Sequence, residues 1–137
     1  MSLVRGSCLC GAVAFEMTSD PIRVNHCHCS RCRKVRGTAH ATNLVTAIDG
    51  VRYVRGEELL TKWRLPGAKR FSHWFCRECG SSMPRFDPEL NMAFVPMGSF
   101  DDDPGRKPER HIFVDSKAPW DDIADDLPKF GGAPPSI

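Results

Sequence analysis

Short apolar segments with alternating polar residues fill most of this chain, and turn-forming residues separate them. Such alternation is typical of half-buried β-strands, and the β-branched and aromatic residues in the segments favour the same structure. The breaks contain Pro, Gly or Asp, as in Asp49-Gly50 and Asp87-Pro88. The pattern predicts short antiparallel strands over residues 12–17, 22–27, 38–48, 51–55, 59–65, 71–75, 81–86, 92–97 and 112–114.

Helical patterns are confined to two short stretches. Residues 30–36 begin with Ser30 as the expected N-cap, and residues 119–124 surround Trp120. Neither an internal repeat nor a long linker divides the 137 residues, a length that suits one domain. We therefore expect a single, mainly β domain over residues 1–137, with residues 131–137 as a frayed tail.

Charge is unevenly distributed along the chain, although the net charge is only +2. Residues 1–80 carry a net charge of +7 and residues 81–137 a net charge of −5. A basic cluster at residues 31–36 favours an anionic ligand, but a pI of about 8.2 and the lack of interleaved aromatic residues argue against nucleic acid. No stretch resembles a membrane span or a secretory signal, so we expect no membrane partner and a reducing, cytoplasmic location.

Seven cysteines in three tight clusters are the strongest chemical signal in the sequence. Pairs this close are poor disulfide partners, because the bond needs a particular Cα spacing, and an odd total leaves one sulfur unpaired. Several thiolates converging on one point are instead the ligand set of tetrahedral zinc. The clusters are Cys8-x-Cys10, Cys27-x-Cys29-x2-Cys32 and Cys76-x2-Cys79.

Spacing favours one closed zinc site and one open zinc site. Residues i and i+2 of an extended segment face the same way, so Cys8 and Cys10 can reach one ion. Cys10 and Cys79 are each followed by glycine, which suits the tight turn of a zinc knuckle. Three ligands in the middle cluster leave one coordination position open, as in catalytic zinc sites. The leading prediction is two zinc ions per chain, a structural ion held by Cys8, Cys10, Cys76 and Cys79 and a catalytic ion held by Cys27, Cys29 and Cys32.

Two other arrangements of ligands remain open from spacing alone. A histidine could complete the middle cluster and close it as a second structural site. Alternatively, Cys29, Cys32, Cys76 and Cys79 could form a zinc ribbon, although the intervening 43 residues are many for such a site. The candidate histidines are His26, His28, His40, His73 and His111.

An ion held by three thiolates favours a particular chemistry at its open position. The net negative charge of the centre makes it a poor activator of water, whereas a soft thiolate remains a good incoming ligand. A thiol bound there loses its proton and becomes a nucleophile for a carbon electrophile. Arg31 and Arg33, with Lys34, are candidates for binding its carboxylates, and His40, with Asn43, for positioning a carbonyl or carrying a proton. Ordinary solvated or structural roles are the alternatives.

Three motifs of this chain resemble those of one known family. They are Gly6-Ser7-Cys8-Leu9-Cys10-Gly11, Cys27-His28-Cys29-Ser30-Arg31-Cys32-Arg33 and Phe75-Cys76-Arg77-Glu78-Cys79-Gly80-Ser81, and residues 111–120 are similar to its C-terminal signature. The family is that of glutathione-dependent formaldehyde-activating enzymes, which includes centromere-protein-V-like members. The resemblance extends from about residue 5 to residue 130.

This resemblance implies a zinc-stabilised β-tent fold with the two zinc sites in the leading arrangement. It also implies a reaction in which glutathione and formaldehyde give S-hydroxymethylglutathione, classed as a carbon–sulfur lyase reaction in reverse. The expected partner is then a small thiol, glutathione above all, bound by a monomer or a homodimer. A non-catalytic, zinc-stabilised binding module is the alternative function, and thiol-redox or metal-storage activity is a third.

Overall fold

Strands account for most of the regular structure in the described part of the chain, residues 2–136 of a computed structural model. One α-helix and several single 3-10 turns complete it. This content confirms the predicted mainly β class. The strands are β1 Val4–Ser7, β2 Ala14–Met17, β3 Arg23–Cys27, β4 Ala41–Ala47, β5 Val51–Arg55, β6 Leu60–Arg64, β7 Ser72–Cys76, β8 Arg85–Asp87, β9 Met92–Pro96 and β10 Arg110–Ile112, and the helix is α1 Ser30–Arg36.

The strands form three sheets in the described residues. Their orders are β1-β2-β5, β10-β3-β4-β9-β8 and β6-β7. All named pairs are antiparallel except β3 and β10, which run parallel and place His111 beside His26 and Ile112 beside Cys27. The five-stranded sheet therefore carries the middle cysteine cluster at the end of β3.

The apolar core extends to cysteines of the first and last clusters. Phe15, Met17 and Leu44 are fully buried, and burying a side chain of this size stabilises the fold by about 1.5–3 kcal/mol. Cys8 and Cys76 belong to the same buried cluster. These two sulfurs are thus part of the interior of the domain.

Helix α1 spans the predicted residues, but a different residue caps it. Cys29 rather than Ser30 is the N-cap, and its Sγ accepts a hydrogen bond from the Cys32 N–H at 3.3 Å. The helix ends at Gly37, which has a left-handed φ of 64° and donates its N–H to the Arg33 carbonyl. A sulfur of the middle cluster therefore starts the helix.

Strand β1 was not predicted, because its sequence Val4-Arg5-Gly6-Ser7 shows almost no apolar alternation. Pairing with β2 forms it instead. Gly6 lies against the ring of Phe15, and a Cβ at this position would also lie 2.7 Å from the Ser99 carbonyl oxygen. This close approach explains why the strand has a glycine at its centre.

The predicted helix over residues 119–124 is wrong. The segment forms a turn followed by irregular chain, and the Lys117 ammonium donates to the carbonyls of Ala118 and Asp121. Two strand predictions are displaced: β8 shares only Arg85 and Phe86 with the strand expected over 81–86, and β10 shares only Ile112 with the strand expected over 112–114.

The tail expected to fray after residue 130 is hydrogen-bonded in part. Carbonyls of Gly131 and Gly132 accept hydrogen bonds from the N–H groups of Asp115 and Phe113 at 3.1 and 2.9 Å. These bonds hold the start of the tail next to the end of β10. No helix in the described residues has the length and apolar character that a membrane crossing requires.

Candidate metal centres

Four cysteines converge from two distant parts of the sequence. Cys8 and Cys10 follow β1, while Cys76 ends β7 and Cys79 follows it. Their Sγ atoms lie within 4.8 Å of one another, with Cys8 and Cys10 at 3.6 Å and Cys10 and Cys76 at 3.9 Å. The group could hold one metal ion.

Two similar turns position these sulfurs. The Gly11 N–H donates to the Cys8 carbonyl at 3.0 Å, and the Gly80 N–H donates to the Cys76 carbonyl at 2.7 Å. Both glycines are left-handed, with φ values of 78° and 76°, a conformation that residues with a Cβ rarely adopt. The Cys-Gly pairs seen in the sequence therefore mark equivalent turns.

The surroundings of two of these sulfurs suit thiolates. Cys8 Sγ accepts a hydrogen bond from the Val13 N–H at 3.2 Å. Cys79 Sγ lies 3.2 Å from Ser81 Oγ, and this hydrogen bond lowers the pKa of Cys79 to about 5. Thiolate is the form that binds zinc. The residues present therefore fit a tetrahedral ion with four sulfur ligands.

The middle cluster forms a separate group of three sulfurs. Cys27 ends β3, Cys29 caps α1, and Cys32 lies in its first turn, so that their Sγ atoms lie within 4.8 Å of one another. Hydrogen bonds from the side chains of Cys27 and Cys32 lower the pKa of Cys29 to about 2. One thiolate is thus already stabilised, and a divalent ion would stabilise all three.

This grouping differs from both alternative arrangements. Cys29 and Cys32 do not join Cys76 and Cys79, so the structure contains no zinc ribbon across these four residues. No imidazole belongs to the three-sulfur group among the described residues. The group thus has three protein donors, one fewer than a closed tetrahedral site needs.

The three sulfurs open onto a cavity of about 380 Å³. Its charged lining is cationic, since Arg31, Arg36 and Arg85 contribute to it but no Asp or Glu of the described residues does. His73 is the imidazole in this lining. The apolar and amide walls come from Phe71, Phe94, Phe113, Val35, Met83, Ile112, Asn25 and Asn43.

Of the five candidate side chains outside the cysteines, Arg31 and Asn43 line this cavity, whereas Arg33, Lys34 and His40 do not. The guanidinium carbon of Arg31 lies 5.9 Å from the centre of the Phe71 ring. Arg33 instead donates through Nε to the Ser116 carbonyl at 3.1 Å. His40 lines a neighbouring cavity that shares Arg36 with the first. The structure thus does not bring Arg33 or His40 to the three-sulfur group.

Comparison with known proteins agrees with this architecture. The sequence profile of the family described as "Glutathione-dependent formaldehyde-activating enzyme" matches residues 3–116. The chain belongs to this family. The formaldehyde-activating family also includes a curated Halomonas elongata relative, provisionally named as such an enzyme, that is 36% identical over 132 residues. That match covers 88% of this chain and 81% of the relative.

A solved structure supports the fold of this family member. A crystal structure of a Rhodobacter sphaeroides protein is similar with a TM-score of 0.60 and 29% sequence identity. The similarity covers 76% of this chain and 91% of that protein. The two chains thus share most of their architecture.

Four histidines of this formaldehyde-activating family member pack together away from the three sulfurs. His28 is fully buried, and its Nε2 lies 2.8 Å from Nδ1 of His111, whose Nε2 bonds Asp125 at 2.9 Å. The rings of His26 and His40 lie 4.2 Å apart between centroids. Burial lowers the pKa of His26 and His28 to about 4, which keeps both neutral at neutral pH. Period-two geometry predicted that His26 and His28 face away from Cys27, but not this cluster.

Sequence reasoning missed the roles of Arg85 and His73 as lining residues. Arg85 follows Cys32 by more than 50 residues and reaches the cavity from β8, so no local pattern connects the two. His73 lies in β7, three residues before Cys76, and alternation left its direction undecided. Only the arrangement of the sheets places both in the lining of this cavity.

Proposed function

We propose that this protein catalyses the reversible addition of a small thiol, glutathione above all, to formaldehyde or a related aldehyde. The observation that carries the proposal is a group of three sulfurs, without a fourth donor among the described residues, that opens onto a cavity. A zinc ion held by Cys27, Cys29 and Cys32 would lower the pKa of the incoming thiol and hold its sulfur at this position. A second zinc ion, held by Cys8, Cys10, Cys76 and Cys79, is proposed as structural.

The reaction is a redox-neutral addition. A bond forms between the thiol sulfur and the carbonyl carbon, while the π bond of the carbonyl breaks. The thiol proton ends on the former carbonyl oxygen, so that glutathione and formaldehyde give S-hydroxymethylglutathione. The reverse direction is a carbon–sulfur lyase reaction. In this scheme the cavity brings the two reactants together, and proximity supplies much of the acceleration.

His73 is the proposed carrier of the thiol proton. It lines the cavity, and burial lowers the pKa of its imidazole, with the positive charge of Arg36 acting in the same direction. A pKa below the usual value near 6.5 leaves the ring neutral at pH 7, so it can accept a proton. The protonated ring can then donate that proton to the developing alkoxide.

The protein loaded with zinc is expected to accelerate adduct formation. The measurement is exchange-resolved NMR of ¹³C-formaldehyde and glutathione, with and without the protein. Cobalt-substituted protein should also change its d–d absorption when glutathione is added, because a three-sulfur centre can accept a fourth ligand. A cobalt spectrum that ignores glutathione, together with an uncatalysed rate, would refute the proposed function in favour of a closed centre.

Replacing His73 by asparagine is expected to lower kcat by about 100-fold, which is typical for the loss of a general acid–base group. Asparagine retains polarity but cannot carry a proton at neutral pH. The Kd for glutathione should change by less than about twofold, because the thiol and its carboxylates bind elsewhere. A steady-state pH profile of the wild type should show the ionisation of His73, and the variant should lack it. If kcat in the variant matches the wild type, another group transfers the proton.

A further inference from the structure

Two arginines of the cavity lack an acidic partner in the described part of the chain. Neither Arg36 nor Arg85 forms an ion pair with an Asp or Glu there, although both are partly buried. Elsewhere in the molecule, by contrast, Arg23 and Arg106 both pair with Glu109. Burying a guanidinium without an anion costs free energy. Two such guanidinium groups in one cavity therefore indicate that an anionic ligand binds there.

The two charges also act on each other. Burial lowers the pKa of Arg36, the Cys32 sulfur acts in the opposite direction, and the positive charge of Arg85 lowers the pKa further. The acid nearest along the strand to Arg85 is Asp87, but its carboxylate faces the Arg70 guanidinium at 4.0 Å and accepts the Leu90 N–H at 3.2 Å. Asp87 thus acts on Arg85 only through space and forms no ion pair with it, and the Cys32 sulfur is the other negative group that acts on Arg85.

Each of the two side chains contacts a neighbouring residue of the cavity wall, which fixes its orientation. Nη2 of Arg36 donates to Oδ1 of Asn43 at 3.0 Å. The Arg85 guanidinium carbon lies 4.2 Å from the centre of the Phe94 ring, within the range of a cation–π contact. A guanidinium has five N–H donors, so these contacts leave donors of both residues for a ligand. The pair is therefore oriented before any ligand binds.

The charge balance of the cavity indicates the ligand. A divalent ion with three thiolates has a net charge of −1, and the three lining arginines add +3 without an opposing carboxylate. Formaldehyde carries no negative charge with which a guanidinium could form an ion pair. A planar carboxylate, in contrast, matches the fork of an arginine with two parallel hydrogen bonds.

We propose that Arg36 and Arg85 form a carboxylate-binding subsite beside the three sulfurs, and that this protein acts on ligands that carry a carboxylate within reach of its reactive centre. The inference rests on the proposed function and specifies its substrate class. The carboxylate has two conceivable sources. It belongs to the thiol, as in glutathione, or to the carbonyl compound, as in a 2-oxo acid such as glyoxylate.

The test compares thiols and aldehydes with and without a carboxylate in the zinc-loaded protein. The variants are Arg36→Gln and Arg85→Gln, which lie on α1 and β8, so that one remains informative if the other misfolds. We expect each to raise the Kd for glutathione by about 10-fold or more, the effect of losing a charge-assisted hydrogen bond. The Kd for cysteamine, a thiol without a carboxylate, should change by less than about twofold. Arg36→Lys, which keeps the charge, should restore part of the affinity.

Arg52→Gln serves as the matched control, because Arg52 is 68% exposed and pairs with Glu16 outside the cavity. If glutathione binds both Gln variants as it binds the wild type but the KM for glyoxylate rises, the carboxylate comes from the carbonyl compound. If neither constant changes in either variant, the subsite does not exist. Unchanged turnover of cysteamine and formaldehyde in both variants would leave the carbon–sulfur chemistry standing. If the wild type is inactive but binds glyoxylate, and the two Gln variants do not bind it, the subsite exists and the proposed reaction is wrong.

Discussion

Replacing Cys76 by serine is expected to leave the chain unfolded. Cys76 is fully buried in the apolar core, and with Cys79 it joins β7 to the two cysteines that follow β1. Structural zinc contributes about 10–16 kcal/mol in small zinc-finger peptides, whereas a whole domain is stable by only about 5–15 kcal/mol. The free energy lost with one of the four ligands, together with the cost of burying a hydroxyl in its place, should therefore exceed the free energy of unfolding of the domain.

Circular dichroism and ¹H–¹⁵N correlation spectra would measure this loss. Leu9→Ser is the matched control, because Leu9 lies between two of the cysteines but its side chain is 89% exposed. The control should fold like the wild type and bind two zinc ions per chain. A dispersed spectrum from Cys76→Ser would show that the four-sulfur centre is dispensable for folding.

Replacing Cys29 by serine is expected to abolish thiol addition while the fold survives. Cys29 lies at the start of α1, a helix of seven residues with no buried side chain, so the core does not depend on this segment. Serine is also a favourable N-cap and can accept the Cys32 N–H that Cys29 Sγ accepts now. The loss should therefore be confined to the metal and to the chemistry.

Zinc content per chain should fall from two to one in Cys29→Ser, and the rate of adduct formation should fall to that of the uncatalysed reaction. The far-UV spectrum and the melting temperature should stay near those of the Leu9→Ser control. Retention of two ions with full activity would show that Cys29 is not a ligand. Equal loss of structure in Cys29→Ser and Cys76→Ser would refute the division between a structural and a catalytic centre.

Features with short-range causes could be predicted from the sequence. The mainly β class follows from alternation, and helix α1 was predicted over the right residues, although Cys29 rather than Ser30 caps it. Local geometry also favoured the separation of the cysteines into four and three over the two other arrangements. Residues two apart in extended chain share a face, and a Cys-Gly pair marks a tight turn.

Features that depend on distant packing could not be predicted. Strand β1 exists because β2 pairs with it. The histidine cluster needs the parallel pairing of β3 with β10, which places His111 beside His26. Arg85 reaches the cavity because β8 lies in the same five-stranded sheet as β3, which ends at Cys27. His111 and Arg85 are each more than 50 residues from the middle cysteine cluster in the sequence.

The position of Cys29 as both sulfur donor and helix cap links two properties of the molecule. Helix α1 also carries Arg31 and Arg36, so the segment proposed to bind the ion presents two of the three cations of the cavity. By thermodynamic linkage, if a bound ion raises the affinity of the cavity for its ligand, a bound ligand raises the affinity for the ion by the same factor. A ligand bound in the cavity should hence slow the transfer of the ion to a competing chelator. Removal of the ion should abolish both the reaction and the preference for ligands with a carboxylate.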